Sequence, residues 1–339
     1  MAFKDIVGNE RIKHILRRSL EKQRLPNSLL FCGPRGVGKR RMAFVLAKAL
    51  CCQRLKDDAC EECVPCRFIS EGESKGENKY PDVMLILPNP KKSDIIEIDT
   101  IRSIKEIAYI RPLMGTRRVF IIDGAETDYL PEEGSNAILK ILEEPPSFTH
   151  LILIADNADK VLPTIKSRCR ILSFSPISQF DIEKALRDKG LDEDKAKILS
   201  VLSRGNLEQA LDMDWAEVSE RRQAAWRLFR ALIRRENASE FLESYGYLKR
   251  KDAEKELPAV LEIFSSFGRD LILIKEGGSP DLLLNPDFEA LLRQETEAFS
   301  LEQALHFLAR VDTALAGLDR SLNVGLLVST LYSSIIEGP

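Results

Sequence analysis

Short apolar runs recur along the first half of the chain and are separated by longer stretches with helical patterns. Each run is apolar at successive positions, which is typical of strands that lie between two layers of helices in a parallel sheet. The pattern therefore predicts an α/β domain with a five-stranded core. The predicted strands cover residues 29–32, 83–87, 119–122, 151–155 and 171–174.

The strand pattern ends after Pro176, and only helical patterns follow. Short helical stretches around Gly190 and Gly205 have the size of a small helical lid, and longer helices begin at Trp215. We therefore predict three parts, an α/β domain over 1–176, a lid over 177–212 and a helical domain over 213–339. Apolar residues that are predicted to share one face of a late helix are Leu305, Leu308, Val311, Leu315 and Leu318.

The composition, with 44% hydrophobic and 30% charged residues in 339, is that of a soluble globular protein. No segment approaches the roughly 20 apolar residues of a membrane span, so we expect no membrane contact. The first residues carry no secretory signal pattern, which predicts a cytoplasmic protein. The net charge of −3 argues against attraction of the whole molecule to nucleic acid, so any DNA contact is expected to be local or shared with partners.

A glycine-rich segment, Gly-Pro-Arg-Gly-Val-Gly-Lys, follows the first predicted strand and opens a helix. Glycines before a helix are often simple turn residues, but this strand-to-helix setting favours a phosphate loop. In that interpretation backbone N–H groups of Gly33, Gly36 and Gly38 surround phosphate oxygens, and Lys39 reaches the terminal phosphates. The next position needs a hydroxyl to hold Mg²⁺, and the chain has Arg40 there. Productive binding of Mg·ATP is therefore doubtful.

Asp123 ends the third predicted strand, where the acidic partner of a phosphate loop holds the metal. The alternative, a turn or helix-capping residue after a strand, stays open. Hydrolysis also needs a neighbouring group that orients water, but the next residue is Gly124, and Glu126 is expected to point elsewhere. These features together predict a degenerate nucleotide site without ATP hydrolysis.

Four segments besides the phosphate loop form a further pattern, residues 5–10, 24–28, 136–146 and 163–169. The order and spacing of these motifs resemble those of bacterial DNA polymerase III clamp-loader subunits of the AAA+ superfamily. The resemblance covers roughly residues 1 to 212 and implies an AAA+ P-loop domain, a helical lid and a C-terminal collar domain for oligomerisation. It further implies a ring with gamma/tau and delta subunits, contact with a sliding clamp, and contact with primed DNA through the assembled complex.

The Ser-Arg-Cys segment in that resemblance implies that Arg168 is an arginine finger, which acts in trans on the ATP of a neighbouring subunit. The alternative is a surface arginine that caps a helix end. Loaders that hydrolyse ATP carry a sensing arginine near residue 208, where this chain has Glu208. An acid there would repel phosphates.

The departures at Arg40, Gly124 and Glu208 resemble the stationary delta-prime subunit more than the gamma/tau motor. We therefore predict a subunit without ATPase activity of its own, within DNA polymerase III, a DNA-directed DNA polymerase (a nucleotidyltransferase). The alternative is a catalytically active gamma/tau-type clamp-loader ATPase.

Five of the seven cysteines lie between residues 51 and 66, in a polar stretch that offers no apolar core for free thiols. The spacing Cys60-x-x-Cys63-x-x-Cys66 suits a closed tetrahedral zinc site with one more cysteine. Counting backwards favours Cys51 as the fourth ligand, whereas the resemblance to the family's zinc module favours Cys52. We predict a structural zinc site formed by Cys52, Cys60, Cys63 and Cys66.

Overall fold

The structure is a computed structural model that describes residues 2–76, 78–236, 239–245, 250–297, 299–318 and 324–337. The chain divides into two compact units. The first consists of Met1–Ala185 with Arg204–Gln209, and the second of Leu186–Ser203 with Ala210–Pro339. The three-part division at residues 176 and 212 stays a prediction.

The first unit contains a five-stranded sheet in the order β2-β3-β4-β1-β5, in which every neighbouring pair is parallel. The prediction of a five-stranded parallel core is therefore confirmed, with strand ends shifted by one or two residues. Parallel topology places the carboxyl ends of all five strands at one edge of the sheet. The strands are β1 (Ser28–Cys32), β2 (Val83–Ile86), β3 (Arg118–Asp123), β4 (Thr149–Ala155) and β5 (Arg170–Ser173).

Helices follow most strands and cover the sheet, as right-handed crossovers between parallel strands require. Residues of β3 and β4 that point to the same face, such as Phe120 and Leu151, are fully buried against Ile101 and Ile138. Burial of one such side chain contributes about 1.5–3 kcal/mol. The helices are α1 (Glu10–Glu21), α2 (Lys39–Cys51), α3 (Val64–Lys75), α4 (Ile98–Ile107), α5 (Glu132–Glu143), α6 (Pro163–Lys166) and α7 (Gln179–Asp188).

A buried ion pair between Asp82 and Arg118 fixes the connection that follows α4. The Asp82 carboxylate lies 3.0 Å from Arg118 Nη2 and accepts hydrogen bonds from the backbone N–H groups of residues 113–115. Arg118 also donates to the carbonyls of Ile107 and Ile110, at 2.7 and 3.0 Å. These groups compensate both charges in a site where the side chains are at most 2% exposed, although Nε of Arg118 has no hydrogen-bond partner among the described residues.

The remaining helices, most of them in the second unit, make that part of the chain helical, as the sequence predicts. Its core contains packed aromatic rings, with the centroids of Trp226 and Phe229 5.7 Å apart and those of Phe229 and Phe307 5.2 Å apart. The helices are α8 (Glu193–Leu202), α9 (Leu207–Asp212), α10 (Trp215–Arg234), α11 (Ser239–Tyr245), α12 (Arg250–Lys275), α13 (Glu289–Glu295), α14 (Leu301–Leu318) and α15 (Val324–Glu337).

The prediction of which residues form the apolar face of α14 is wrong at one position, Leu305. Leu305 is 50% exposed, whereas Ala304, Phe307 and Val311 are buried. At 100° per residue Leu305 lies well to one side of the stripe that these residues define. None of the helices in the described part of the chain combines the length and the apolarity that a membrane span needs.

Candidate nucleotide site, arginine finger and metal site

The glycine-rich segment lies directly after β1, at the edge of the sheet where the strands end, and α2 begins at Lys39. A cavity of about 730 Å³ opens there and is lined by Gly36, Gly38, Lys39 and Asp123, among others. Gly33 lies behind it, where its carbonyl contacts Lys39. The structure therefore brings together all five residues that the sequence assigns to the nucleotide site.

Lys39 is already engaged within the chain. Its ammonium group donates to the carbonyls of Gly33 and Pro34, both at 2.5 Å, and to Asp156 Oδ1 at 2.9 Å. An ammonium group has three hydrogens, so these contacts use all of its donors. A phosphate could bind Lys39 only by displacing one of them.

Arg40 forms an ion pair with Asp123, through Nε and Oδ2. Asp123 is the carboxylate predicted to hold the metal of a bound nucleotide. The guanidinium therefore stands beside the group that Mg²⁺ would need, and it repels a divalent cation. In this conformation the acidic residue of the site is neutralised by the side chain that replaces the missing hydroxyl.

Asp156, which follows β4, joins two cations of the phosphate loop. It accepts hydrogen bonds from Lys39 and from Arg35 Nε, the latter at 2.6 Å, while Arg35 Nη2 lies 2.7 Å from the Tyr129 hydroxyl. Burial opposes the charge of Asp156, but the hydrogen bonds from Lys39 and Arg35 outweigh it and lower the pKa of the carboxyl. Asp156 is therefore an anion held by the residues that would otherwise meet phosphate.

The position after Asp123 cannot easily take a longer side chain. Gly124 has a φ of +104°, and a Cβ there would lie 3.0 Å from Pro88 Cγ and from Tyr129 Cβ. Glu126 is buried and binds the backbone N–H groups of residues 156 and 157. Position 124 therefore carries no carboxylate. Glu126 lines the same cavity, with its carboxylate engaged by the backbone, and that it points away from a bound nucleotide stays a prediction.

Residues at the start of α9 lie against the phosphate loop. The Asn206 side chain lies so close to Gly36, which has a φ of +69°, that a Cβ on Gly36 would overlap it. The N–H of Glu208 lies 3.5 Å from the Gly36 carbonyl, and Glu208 lines the cavity. The Asn206 amide and the Glu208 carboxylate therefore lie in the region where loaders that hydrolyse ATP are expected to carry a sensing arginine.

Arg168 lies away from this cavity, between α6 and the start of β5. Its Nε donates to Glu143 Oε1 at 2.7 Å, and Nη2 forms an ion pair with the same oxygen. Its Nη1 donates to the Thr164 carbonyl and to Ser167 Oγ, at 2.9 and 3.2 Å. The Arg168 side chain is about one third exposed, so part of it is accessible from outside the chain.

Four cysteine sulfurs, those of Cys52, Cys60, Cys63 and Cys66, all lie within 4.8 Å of one another. In a tetrahedral shell with Zn–S bonds of about 2.3 Å the sulfurs are about 3.8 Å apart, so the cluster fits a four-thiolate metal site. The backbone N–H groups of Leu55 and Cys63 point to the sulfurs of Cys52 and Cys60, both at 3.3 Å, as suits thiolates. These four cysteines can therefore hold a metal ion.

Cys51 does not take part in the cluster. Its sulfur lies 3.9 Å from the Arg117 carbonyl, and burial raises the pKa of its thiol to about 12. In Cys60, by contrast, burial opposes ionisation, but hydrogen bonds from the N–H groups of Cys63 and Glu62 outweigh it and lower the pKa to about 7. Of the two candidates for the first ligand, the structure brings Cys52 to the other sulfurs.

The cysteine cluster is joined to α2 by a buried lysine. Lys48 is fully buried, and its ammonium group lies 2.9 Å from Glu61 Oε1 and 3.0 Å from Ser70 Oγ. Glu61 stands between Cys60 and Cys63, and Ser70 belongs to α3. The helix that begins at the phosphate loop therefore shares an ion pair with the cysteine loop.

Sequence reasoning missed Asp156, Asn206 and Glu143. A signal existed for Asp156, because a polar residue directly after a strand of a parallel sheet lies at the edge where the phosphate loop also lies. Asn206 and Glu143 carried no comparable signal, since their partners are far away in sequence.

Comparison with known proteins gives relatives that match parts or nearly all of the chain. The family described as "DNA polymerase III, delta subunit" matches residues 8–178. The DNA polymerase III subunit delta' of Bacillus subtilis is 26% identical over 329 residues, which cover 97% of this chain and 96% of the relative. The DNA polymerase III subunit tau of the same organism is 35% identical over 185 residues, 52% of this chain but only 29% of that relative.

Two solved structures from Thermotoga maritima are also similar. A gamma subunit-related protein of DNA polymerase III has a TM-score of 0.41 at 19% identity, covering 96% of this chain and 98% of that one. The RuvB Holliday junction branch migration motor has a TM-score of 0.40 at 14% identity, covering 81% and 78%. The predicted α/β class, a parallel-sheet domain followed by helical parts, is confirmed by the strand order and the helices of the structure.

Proposed function

We propose, since the chain belongs to the family described as DNA polymerase III, delta subunit, that it is a delta-prime-type clamp-loader subunit. In this role it assembles with gamma/tau and delta subunits into a ring that places a sliding clamp on primed DNA in the cytoplasm. It contributes Arg168 to the ATP site of a neighbour and hydrolyses no ATP itself. The similarity to a delta' subunit along nearly the whole of both chains supports this assignment.

The observation that carries the loss of hydrolysis is the ion pair between Arg40 and Asp123. Phosphoryl transfer in P-loop enzymes depends on a metal ion that is held by a hydroxyl after the lysine and by an acidic residue. Here the first ligand is absent and the second is bound by a cation. Lys39, with all three donors engaged, supports the same conclusion.

The position of Arg168 supports action in trans. Strand β5 is parallel to β1, and Arg170 at its start is paired with Leu29. Gly33 lies four residues beyond Leu29, or about 13 Å along the strand direction, whereas Arg168 precedes Arg170 at the other end. Arg168 therefore lies toward the opposite end of the sheet from the phosphate loop of its own chain, which supports the proposal that it acts on a nucleotide held by another subunit.

We further infer that the four clustered cysteines bind one zinc ion. A shell of four thiolates leaves no open position for a substrate or water, so the ion would be structural and would contribute to folding of residues 52–66. The division into an AAA+ domain (1–176), a lid (177–212) and a collar (213–339) belongs to the same proposal.

The test compares three variants in a loader reconstituted with its partner subunits, the clamp and primed DNA. Arg168→Ala should leave assembly intact, because one exposed arginine contributes little to stability, but should strongly reduce clamp-stimulated ATP hydrolysis and clamp loading. Lys39→Ala should leave both at the wild-type level. Arg170→Ala, an exposed arginine two residues from Arg168, serves as the matched control. A loader that fails with Lys39→Ala but works normally with Arg168→Ala contradicts the proposal.

A second candidate, a gamma/tau-type ATPase, is favoured by the higher identity to the tau subunit over the first half of the chain. It predicts steady-state ATP turnover by the isolated chain, on the order of 1 s⁻¹. Lys39→Ala would abolish that turnover. Absence of turnover above the Lys39→Ala background excludes this candidate.

A further inference from the structure

The contacts of Arg168 divide its guanidinium into two edges. The first edge, Nε with Nη2, lies against Oε1 of Glu143, the last residue of α5. The second, Nη1, donates to two neutral acceptors among the described residues, the Thr164 carbonyl and the Ser167 hydroxyl. One edge is therefore held by a charge and the other by weaker, neutral acceptors.

A guanidinium has five N–H donors in a fixed plane. Glu143 takes the Nε hydrogen and one Nη2 hydrogen, so it sets the direction of that plane without using Nη1. Nη1 can then exchange its neutral acceptors for a phosphate oxygen, which is a stronger, charged acceptor. The arrangement allows the arginine to reach a phosphate while its first edge stays in place.

We propose that Glu143 is a positioning residue for Arg168, an inference that rests on the function proposed above. It holds the Nε edge so that Nη1 is presented to the neighbour's ATP in one orientation. The long arginine side chain otherwise samples many rotamers, and a catalytic group displaced by about 1 Å can lose most of its effect. Glu143 therefore acts on the chemical step through Arg168 and does not itself touch the nucleotide.

The contact is suited to this role because it contributes little to folding. The side chains of Arg168 and Glu143 are 32% and 48% exposed, and ion pairs at such sites add little stability. Replacement of Glu143 should therefore leave the chain folded and the loader assembled. The neighbouring Glu144, which is also exposed and has no side-chain contact with Arg168 among the described residues, provides a control with the same change in charge.

The experiment measures kcat and KM for ATP in the reconstituted loader, with clamp and primed DNA, for Glu143→Ala, Glu143→Gln and Glu144→Gln. We expect Glu143→Ala to lower kcat on the order of 10-fold with KM unchanged, because the finger acts in the transition state. Glu143→Gln should lose less, since its amide oxygen still accepts from Nε. Glu144→Gln should match the wild type.

A double-mutant comparison then tests whether Glu143 acts through Arg168. In the Arg168→Ala background, Glu143→Ala should cause no further loss, because the residue it positions is gone. A further loss there, a wild-type kcat for the single variant, or an increased kcat that marks Glu143 as a restraint, each overturns the positioning role. If Arg168→Ala alone leaves ATP hydrolysis unchanged, the proposed function itself fails, whatever Glu143 does.

Discussion

Replacement of Asp156 by asparagine tests whether the chain's own carboxylate occupies the phosphate site. Asp156 stands beside both Lys39 and Arg35, at 2.9 and 2.6 Å. The asparagine side chain would keep the shape and one acceptor but would remove the charge that competes with phosphate for these two cations. We therefore expect the Asp156→Asn variant to bind a nucleoside triphosphate more tightly than the wild type does.

The magnitude follows from the exposure of the groups. Opposite charges 4 Å apart attract by about 4 kcal/mol at an effective dielectric constant of 20. The side chains of Asp156 and Arg35 are 35% and 71% exposed, so their pair is worth at most about 1 kcal/mol. Lys39 is only 5% exposed, so its pair with Asp156 is screened less. Release of both cations from Asp156 should then improve the free energy of nucleotide binding by between about 1 and 2 kcal/mol, which corresponds to a roughly 10-fold lower Kd for the nucleotide.

The assay is an equilibrium titration with a fluorescent ATP analogue in the presence of Mg²⁺. Asp128→Asn is the matched control, because it changes the net charge equally and removes a half-exposed pair with Lys160 that does not line the cavity. The reasoning is refuted if Asp156→Asn binds no more tightly than Asp128→Asn. Neither variant should hydrolyse ATP, since Arg40 and Gly124 remain.

Three further predictions concern the metal and the folded state. The purified chain should contain about one zinc ion, measured by elemental analysis. The Cys60→Ser variant should lose the ion and have a lower thermal unfolding midpoint than the wild type. A chain that is as stable without the metal as with it contradicts this prediction. Asp82→Asn should lower the free energy of unfolding in urea by about 3 kcal/mol, because it leaves Arg118 buried without its counter-charge. Burial alone would raise the pKa of Asp82, but hydrogen bonds from backbone N–H groups and from Arg118 lower it. The stabilisation by this pair should therefore be present above about pH 4 and be lost as the pH falls further. A loss of stability on raising the pH would contradict this. Gly124→Glu should destabilise the chain by about 1–3 kcal/mol, because the position has a positive φ and close neighbours. The variant should not gain ATPase activity, and measurable ATP turnover would contradict this.

The strands of this chain could be predicted because burial on both faces leaves continuous apolar runs, such as the one that became β4. The phosphate loop could be predicted because its residues are contiguous. The arrangement inside the cavity could not, because Asp156 reaches Lys39 only through the adjacency of β1 and β4, which strand order decides and local sequence does not. Leu305 shows a second limit, since its apolar character fits a stripe that the helix places elsewhere.

The cysteine spacing predicted a metal site but left Cys51 and Cys52 as alternatives. Cys51 is the last residue of α2 and Cys52 follows it, and within a helix successive side chains are rotated by about 100° around the axis. The direction of each side chain therefore depends on where α2 stops, at Cys51. Helix ends are among the least certain features of a sequence pattern, which explains why spacing alone could not decide.

The buried contact of Lys48 has a consequence for how relatives of this chain vary. An ammonium group with no exposure is tolerable only beside a counter-charge, and here that charge comes from Glu61, inside the cysteine loop. A relative that lost the four cysteines in evolution would also lose the loop that holds this glutamate in place. Position 48 should therefore change together with the cysteines, and an apolar residue there would mark relatives without the metal site.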